Sequence, residues 1–324
     1  MRKLIVVLLG ASALATSACG TAENPAQNEA PAANAAASAE PKPIDLLSPA
    51  SGTTSMVRID CGSVDVADFT KVFSDREAYP HGHRHLASSC YLITHNGKRL
   101  LWDTGLSAEL KGKKQDIGDG LTVSVKMTVP EQLAVLGLKP DDVNVVGISH
   151  NHADHVGQLP EFVNKPLLVG KPDFDGAAGK EDDPFAAWRG SGKPITPLVG
   201  DYDVFGDGNV IALFLPGHTP GHYGLLVKLK SGPVLLSGDV VHARETSKLK
   251  AVPTFNTDRN QSLQSMERFE KIAKDTGAKV VIPVTSAVAE SPLGILVWFP
   301  ADKPTNATLR ESGSLLTLAD WKRN

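Results

Sequence analysis

From Met56 onward the chain alternates short apolar runs with polar breaks, and the spacing of those breaks predicts strands before it predicts helices. In "CYLITHNGKRLLWDTG" two apolar runs flank Asn96-Gly97, a pair that tolerates the positive φ angles of a tight hairpin, so two antiparallel strands join there. The second strand ends at Asp103-Thr104-Gly105. Next, "TVPEQLAVLGLKPDDVNVVGISH" opens with Thr128 and Glu131 at capping-box spacing and Pro130 in the first turn, and Gly137 stops the helix they start. It continues into "VNVVGIS", apolar enough for a strand buried on both faces. Further along, "VIALFLPGHTPGHYGLLVKLKSGPVLLSGDVV" holds three apolar runs separated by Pro-Gly, Ser-Gly and Gly-Asp breaks. The segment "NQSLQSMERFEKIAKDTG" then puts Leu263, Met266, Phe269, Ile272 and Ala273 on one helical face before Gly277, and a last strand reads "AKVVIP". Strands first, then helix and strand twice over, predict an α+β fold of two sheets with helices packed outside them.

The N-terminus departs from this pattern. "MRKLIVVLLGASALATSACG" has Arg2 and Lys3 ahead of an apolar run and small residues before Cys19, the layout of a secretory signal over 1–18. Its apolar core is too short for a membrane span. Small residues directly before Cys19 resemble a bacterial lipoprotein signal, in which Cys19 becomes the lipidated first residue, although Thr16 stands where such signals carry Leu. Either reading exports the protein, to the periplasm or to a lipid anchor at the outer membrane. Residues 19–48, rich in Ala, Pro, Asn and Glu, bury too little to offset ordering entropy and read as a flexible tether. The folded body is expected over 49–300, with a divergent tail over 301–324. An oxidising compartment allows Cys61 and Cys90 to pair, but two buried free thiols on neighbouring strands fit the sequence equally well. A formal net charge of −3 leaves no basic stripe for a phosphate backbone, which argues against nucleic acid and for a small, weakly charged substrate.

The candidate chemistry sits in "GISHNHADHVGQ", directly after the buried strand, where His150, His152, Asp154 and His155 crowd one loop. Imidazoles and a carboxylate at this spacing are ligands for zinc and similar divalent ions. The pattern H-x-H-x-D-H after a strand resembles the metallo-β-lactamase superfamily, and Asp103 in "LWDTG", His218 in "PGHTPGH" and Asp239 in "LLSGDVV" follow its order. The resemblance runs from about Leu86 to Pro283. It implies an αβ/βα sandwich of two mixed sheets with flanking helices as the catalytic domain. It also implies two divalent metal ions, zinc by default: His150, His152 and His218 hold the first, Asp154 and His155 the second, and Asp239 bridges them. Asp103 and His222 become partners that orient ligands. The stretches "SSCYLITHNGKRLLWDTG" and "PGHTPGHYGLLV" and the helix from Asp258 to Gly277 are most similar to the N-acyl-homoserine lactonase-like branch. The implied activity is opening of a lactone or related ester by a metal-bound hydroxide, with Asp154 or a coordinated water passing a proton to the leaving oxygen.

The sequence also departs from that family. Val284 stands where a last histidine is expected, and neither it nor Thr285 or Ser286 can replace an imidazole, so the second site is weakened. His242 occupies the position where lactonases of the superfamily tend to carry a tyrosine near the substrate carbonyl. It either polarises that carbonyl or supplies the missing ligand. His81, His83 and His85 in "HGHRH" read as loop residues at the pocket rim in preference to a separate metal site. Leu296, Val297, Trp298 and Phe299 are expected to pack on the sandwich in preference to shaping the pocket. The competing functions are a β-lactamase or a broad esterase or phosphotriesterase on the same core. A mononuclear or non-catalytic metal-binding homologue remains open because of the missing histidine.

Overall fold

The computed structural model describes residues 44–190 and 192–282, together with the backbone of 296–298. The expected signal, Cys19, Val284, Thr285, Ser286, Phe299, the side chains of Leu296–Trp298 and the tail 301–324 lie outside the described residues.

Two sheets form the body. The strands of the first are β1 (Thr54–Val66), β2 (Arg84–His95), β3 (Lys98–Trp102), β4 (Lys114–Gly118), β5 (Leu121–Ser124), β6 (Val145–Gly147), β7 (Leu167–Gly170) and β8 (Ile195–Leu198). The second contains β9 (Tyr202–Asp203), β10 (Val210–Phe214), β11 (Tyr223–Leu229), β12 (Gly232–Leu236) and β13 (Lys279–Val281), while β14 (Leu296–Trp298) pairs with β1 in the first. The helices are α1 (Phe69–Phe73), α2 (Val129–Val135), α3 (Ala153–Val156), α4 (Lys171–Ala177), α5 (Thr246–Leu249) and α6 (Arg259–Thr276). The spatial order is β4-β5-β1-β2-β3-β6-β7-β8 in one sheet and β13-β12-β11-β10-β9 in the other. Both are mixed: the β3–β6, β6–β7, β7–β8 and β12–β13 pairs are parallel, and the other pairs are antiparallel.

Local signals act where the sequence places them. Asn96 (φ 49°) and Gly97 (φ 80°) turn β2 into β3 with His95 opposite Lys98. Thr128 and Glu131 close the capping box of α2, and Asp258 caps α6 by accepting from the Gln261 N–H. Gly277, at φ 64°, ends α6. Every residue of β11 is buried, because its two faces serve two cores. Leu225 and Val227 face the other sheet with Met56, Ile93, Leu100 and Trp102, whereas Leu226 joins Ile211, Leu213 and Leu235 beneath Met266, Phe269 and Ile272 of α6. Each such side chain contributes about 1.5–3 kcal/mol of burial. On the outer face of the first sheet Leu133 of α2 packs with Leu101, Val146 and Leu167.

The folded body starts earlier than position 49. Ile44 and Leu46 pack at the α6 side of the second sheet, and the buried Lys228 of β11 donates to the Asp45 carbonyl (3.0 Å) and the Ser48 hydroxyl (2.7 Å). Two apolar residues and a cation needing acceptors hold this end of the expected tether. Cys61 of β1 and Cys90 of β2, both fully buried, are joined as a disulfide.

Candidate metal centre

The C-terminal ends of β3, β6, β10 and β12 lead into four loops, which carry Asp103, His150 to His155, His218 to His222 and Asp239 to His242. Two sets of donors converge there. His150, His152, His218 and Asp239 make one, and Asp154, His155 and Asp239 make the other. Asp239 is common to both. Its Oδ2 lies 3.8 Å from His150 Nε2 and 3.5 Å from His218 Nε2, and its Oδ1 lies 3.4 Å from His155 Nε2. His152 Nδ1 is 3.1 Å from His150 Nε2 and 2.9 Å from His218 Nε2. Tetrahedral ligands on bonds of about 2.0–2.1 Å stand about 3.3 Å apart, so the first set already has the spacing that a zinc-sized ion requires.

The electrostatics agree with that fit. Burial holds the pKa of His150 and of His218 well below the ordinary imidazole range, and it lowers that of His152, so these rings are neutral and offer lone pairs. His155 is the opposite case: burial works against its charge, yet Asp154, Asp239 and Asp103 outweigh burial and raise its pKa well above the ordinary range. Burial likewise works against the Asp239 carboxylate, but His155 and His242 hold its pKa well below the usual value. Three carboxylates around one imidazole demand positive charge, which a divalent cation supplies in place of protons.

Asp103 and His222 orient the donors. Asp103, 3% exposed, accepts from the Ser149 N–H (2.7 Å) and hydroxyl (2.9 Å), and its Oδ2 lies 2.9 Å from His155 Nδ1, which leaves His155 Nε2 facing the centre. His222 donates from Nδ1 to the Leu215 carbonyl (3.0 Å) and accepts at Nε2 from the Asp239 N–H (2.9 Å), so it fixes the backbone of the shared carboxylate. Burial drives its pKa down to about 3. A Cβ on Gly238, whose φ is +52°, would lie 2.6 Å from that Nε2, so glycine is needed for the approach.

His242 is buried beside the centre, with its ring 4.9 Å from Phe73 and 5.3 Å from His218. Its Nε2 lies 3.2 Å from Asp239 Oδ2, an ion-pair distance, but makes no hydrogen bond. It therefore stands at Asp239 Oδ2, the oxygen that also faces His150 and His218, whereas Oδ1 faces His155. His81, His83 and His85 do not reach the centre or line its cavity. His81 pairs with Asp68 (2.8 Å), while His83 (3.3 Å) and His85 (2.9 Å) share Asp65. His85 also lies on β2, not in a loop, because its alternation with Leu86 continues the strand.

Above the donors opens a cavity of about 410 Å3 whose floor includes His152, Asp154, His155, Asp239 and His242 and whose walls include Phe73, Leu106, Ile117 and Phe255. Asp173 was not foreseen from sequence. It is buried on α4 and hydrogen-bonds the loops of His150 and His218. In "GKPDFDG" it reads only as a first-turn carboxylate, so no local signal marks it.

The profile of the metallo-beta-lactamase superfamily matches residues 83–283. An N-acyl homoserine lactonase, AttM, of Azorhizobium caulinodans is 29% identical over 210 residues, covering 59% of this chain and 79% of the relative. AiiA, an N-acyl homoserine lactonase of Bacillus thuringiensis subsp. kurstaki, is 29% identical over 200 residues, covering 57% and 76%. A solved N-acyl homoserine lactone hydrolase, with the product N-hexanoyl-L-homoserine at its catalytic metal center, superposes with a TM-score of 0.63 at 23% identity, over 72% of this chain and 94% of that one. The dizinc quorum-quenching lactonase AidC superposes at 0.56 with 16% identity, over 74% and 92%. Because the matched profile takes in every loop that brings a donor to the centre, the chain belongs to the metallo-beta-lactamase superfamily.

Proposed function

We propose that the protein is a metal-dependent hydrolase that opens N-acyl homoserine lactones or closely related esters. The observation that carries this reading is the pair of donor sets sharing Asp239 on the floor of a largely apolar cavity. The lactonases to which the chain is similar support the substrate class. Two divalent ions, zinc by default, would be held by His150, His152, His218 and Asp239 and by Asp154, His155 and Asp239; when bound they supply Lewis-acid activation of water and of the ester carbonyl. Asp103 fixes the ring of His155, and His222 fixes the backbone of Asp239. Asp154 lines the cavity with its side chain about one-third exposed, so it can carry a proton to the leaving oxygen. His242 lines the cavity with an Nε2 that makes no hydrogen bond. Its place at Asp239 Oδ2, the oxygen that faces His150 and His218, supports a contact to the substrate carbonyl over replacement of the ligand expected at Val284. The Cys61–Cys90 disulfide supports an exported, lipid-anchored or periplasmic protein, since such bonds persist in oxidising compartments.

The test is a panel of acyl-homoserine lactones, penicillins and aryl esters run beside elemental analysis. Lactones are expected to be the best substrates, with two ions per chain and loss of turnover on chelation. Lactones ranking last overturns the substrate assignment, and turnover that survives chelation overturns the metal chemistry. One ion per chain points to the mononuclear alternative. His242→Ala is expected to keep its metal while kcat falls about 10–100-fold, in the range of a lost transition-state contact. Loss of one ion in this variant makes His242 a ligand.

A further inference from the structure

Asp173 belongs to neither set of donors, yet it grips both loops that carry the first one. Its Oδ2 accepts from the Asn151 N–H at 3.2 Å and from the Thr219 hydroxyl at 2.7 Å, and its Oδ1 accepts from the Gly221 N–H at 2.6 Å. Asn151 stands between His150 and His152, and Thr219 follows His218. The residue is 2% exposed, so these three bonds do not compete with bulk water. The backbones close tightly around it. A Cβ on Gly221 would lie 2.7 Å from Asp173 Cγ, and one on Gly170 would lie 2.0 Å from the Gly221 carbonyl oxygen. The junction of β7 with α4 and the loop between β10 and β11 therefore meet with glycine on both sides.

We propose that Asp173 is a positioning residue that sets the separation between the His150–His152 loop and the His218 loop, and thereby the affinity of the first donor set for a divalent cation. This rests on the metal reading above. The two loops are far apart in sequence, and the 2.9 Å between His152 Nδ1 and His218 Nε2 leaves little room for drift. A carboxylate using both oxygens imposes that spacing. An amide in its place turns one oxygen into a donor facing donors, and the loops must move apart to relieve it.

The experiment compares wild type, Asp173→Asn, Thr219→Val and Thr219→Ser as full-length chains. Zn2+ and Co2+ affinities are measured by competition with a chromophoric chelator, the visible spectrum of the Co2+-loaded protein is recorded, and near-UV circular dichroism reports the fold without metal. Asp173→Asn is expected to weaken the tighter site about 10–100-fold, the usual range for loss of a residue that orients ligands. Its cobalt bands are expected to shift while the dichroism is retained. Thr219→Val is expected to lose affinity in the same direction, and Thr219→Ser, which keeps the hydroxyl, to restore it. If Asp173→Asn fails to fold, the Thr219 pair decides alone. Wild-type affinity and cobalt spectrum in Thr219→Val, or in a folded Asp173→Asn, overturn the positioning role while leaving the metal reading intact. A wild-type chain that binds neither ion overturns both.

Discussion

At the scale of single residues, His222 couples the centre to pH through a ring that never leaves the interior. Its Nδ1–H and Nε2 are both committed, to the Leu215 carbonyl and the Asp239 N–H, and burial holds its pKa at about 3 against an ordinary 6.5. Below pH 6.5 the unfolded chain takes up a proton that the folded chain refuses, so the stability associated with this ring is present above that pH and is lost as pH falls toward 3. In the metal-free protein, His222→Gln removes the titrating group. The stability difference between wild type and variant is expected to shift against wild type by about 1.4 kcal/mol per pH unit below pH 6.5. Urea unfolding at pH 7, 6 and 5 measures it, and a difference that stays constant with pH refutes the assignment.

At the scale of elements, the centre is built from strand ends, the turns that follow them and the short helix α3 that carries Asp154 and His155, while α2 and α6 hold the sheets from outside. The capping box of α2 illustrates the division: Thr128 and Glu131 satisfy each other's backbone N–H groups, and Leu133 carries the helix onto the first sheet. Thr128→Ala is expected to lower unfolding free energy by about 1 kcal/mol with metal content unchanged, read by chemical denaturation and elemental analysis. A loss of metal in this variant would mean that α2 positions the loops as well as the sheet. The hairpin at Asn96-Gly97, the cap at Asp258 and the stop at Gly277 were legible because each depends on residues within a few positions of one another.

At the scale of the molecule, two sheets share one core and each carries a second core on its outer face, with the donor loops gathered along one edge. The Cys61–Cys90 bond ties β1 to β2 across 29 positions of sequence, and neither cysteine lines the cavity. Replacing both cysteines by serine is expected to cost about 2–4 kcal/mol of stability and to leave metal stoichiometry unchanged. Thermal unfolding with and without reductant checks the first expectation, and no change in Tm would show that the bond contributes nothing.

The sequence alone determined the strand-first order, the hairpin, the helix caps and a histidine loop whose donors are near neighbours in the chain, because short-range periodicity and turn chemistry act over a few residues. It also supplied Asp103, His218 and Asp239 through a resemblance, not through any local rule. Only the tertiary structure decided which oxygen of Asp239 faces which imidazole, at which of the two His242 stands, and whether Cys61 and Cys90 join. It alone recruited Asp173, and it put Ile44 and Leu46 into the folded body. Each of these depends on contacts between segments far apart in the chain, and such contacts exist only once hydrophobic burial has closed the two sheets on each other.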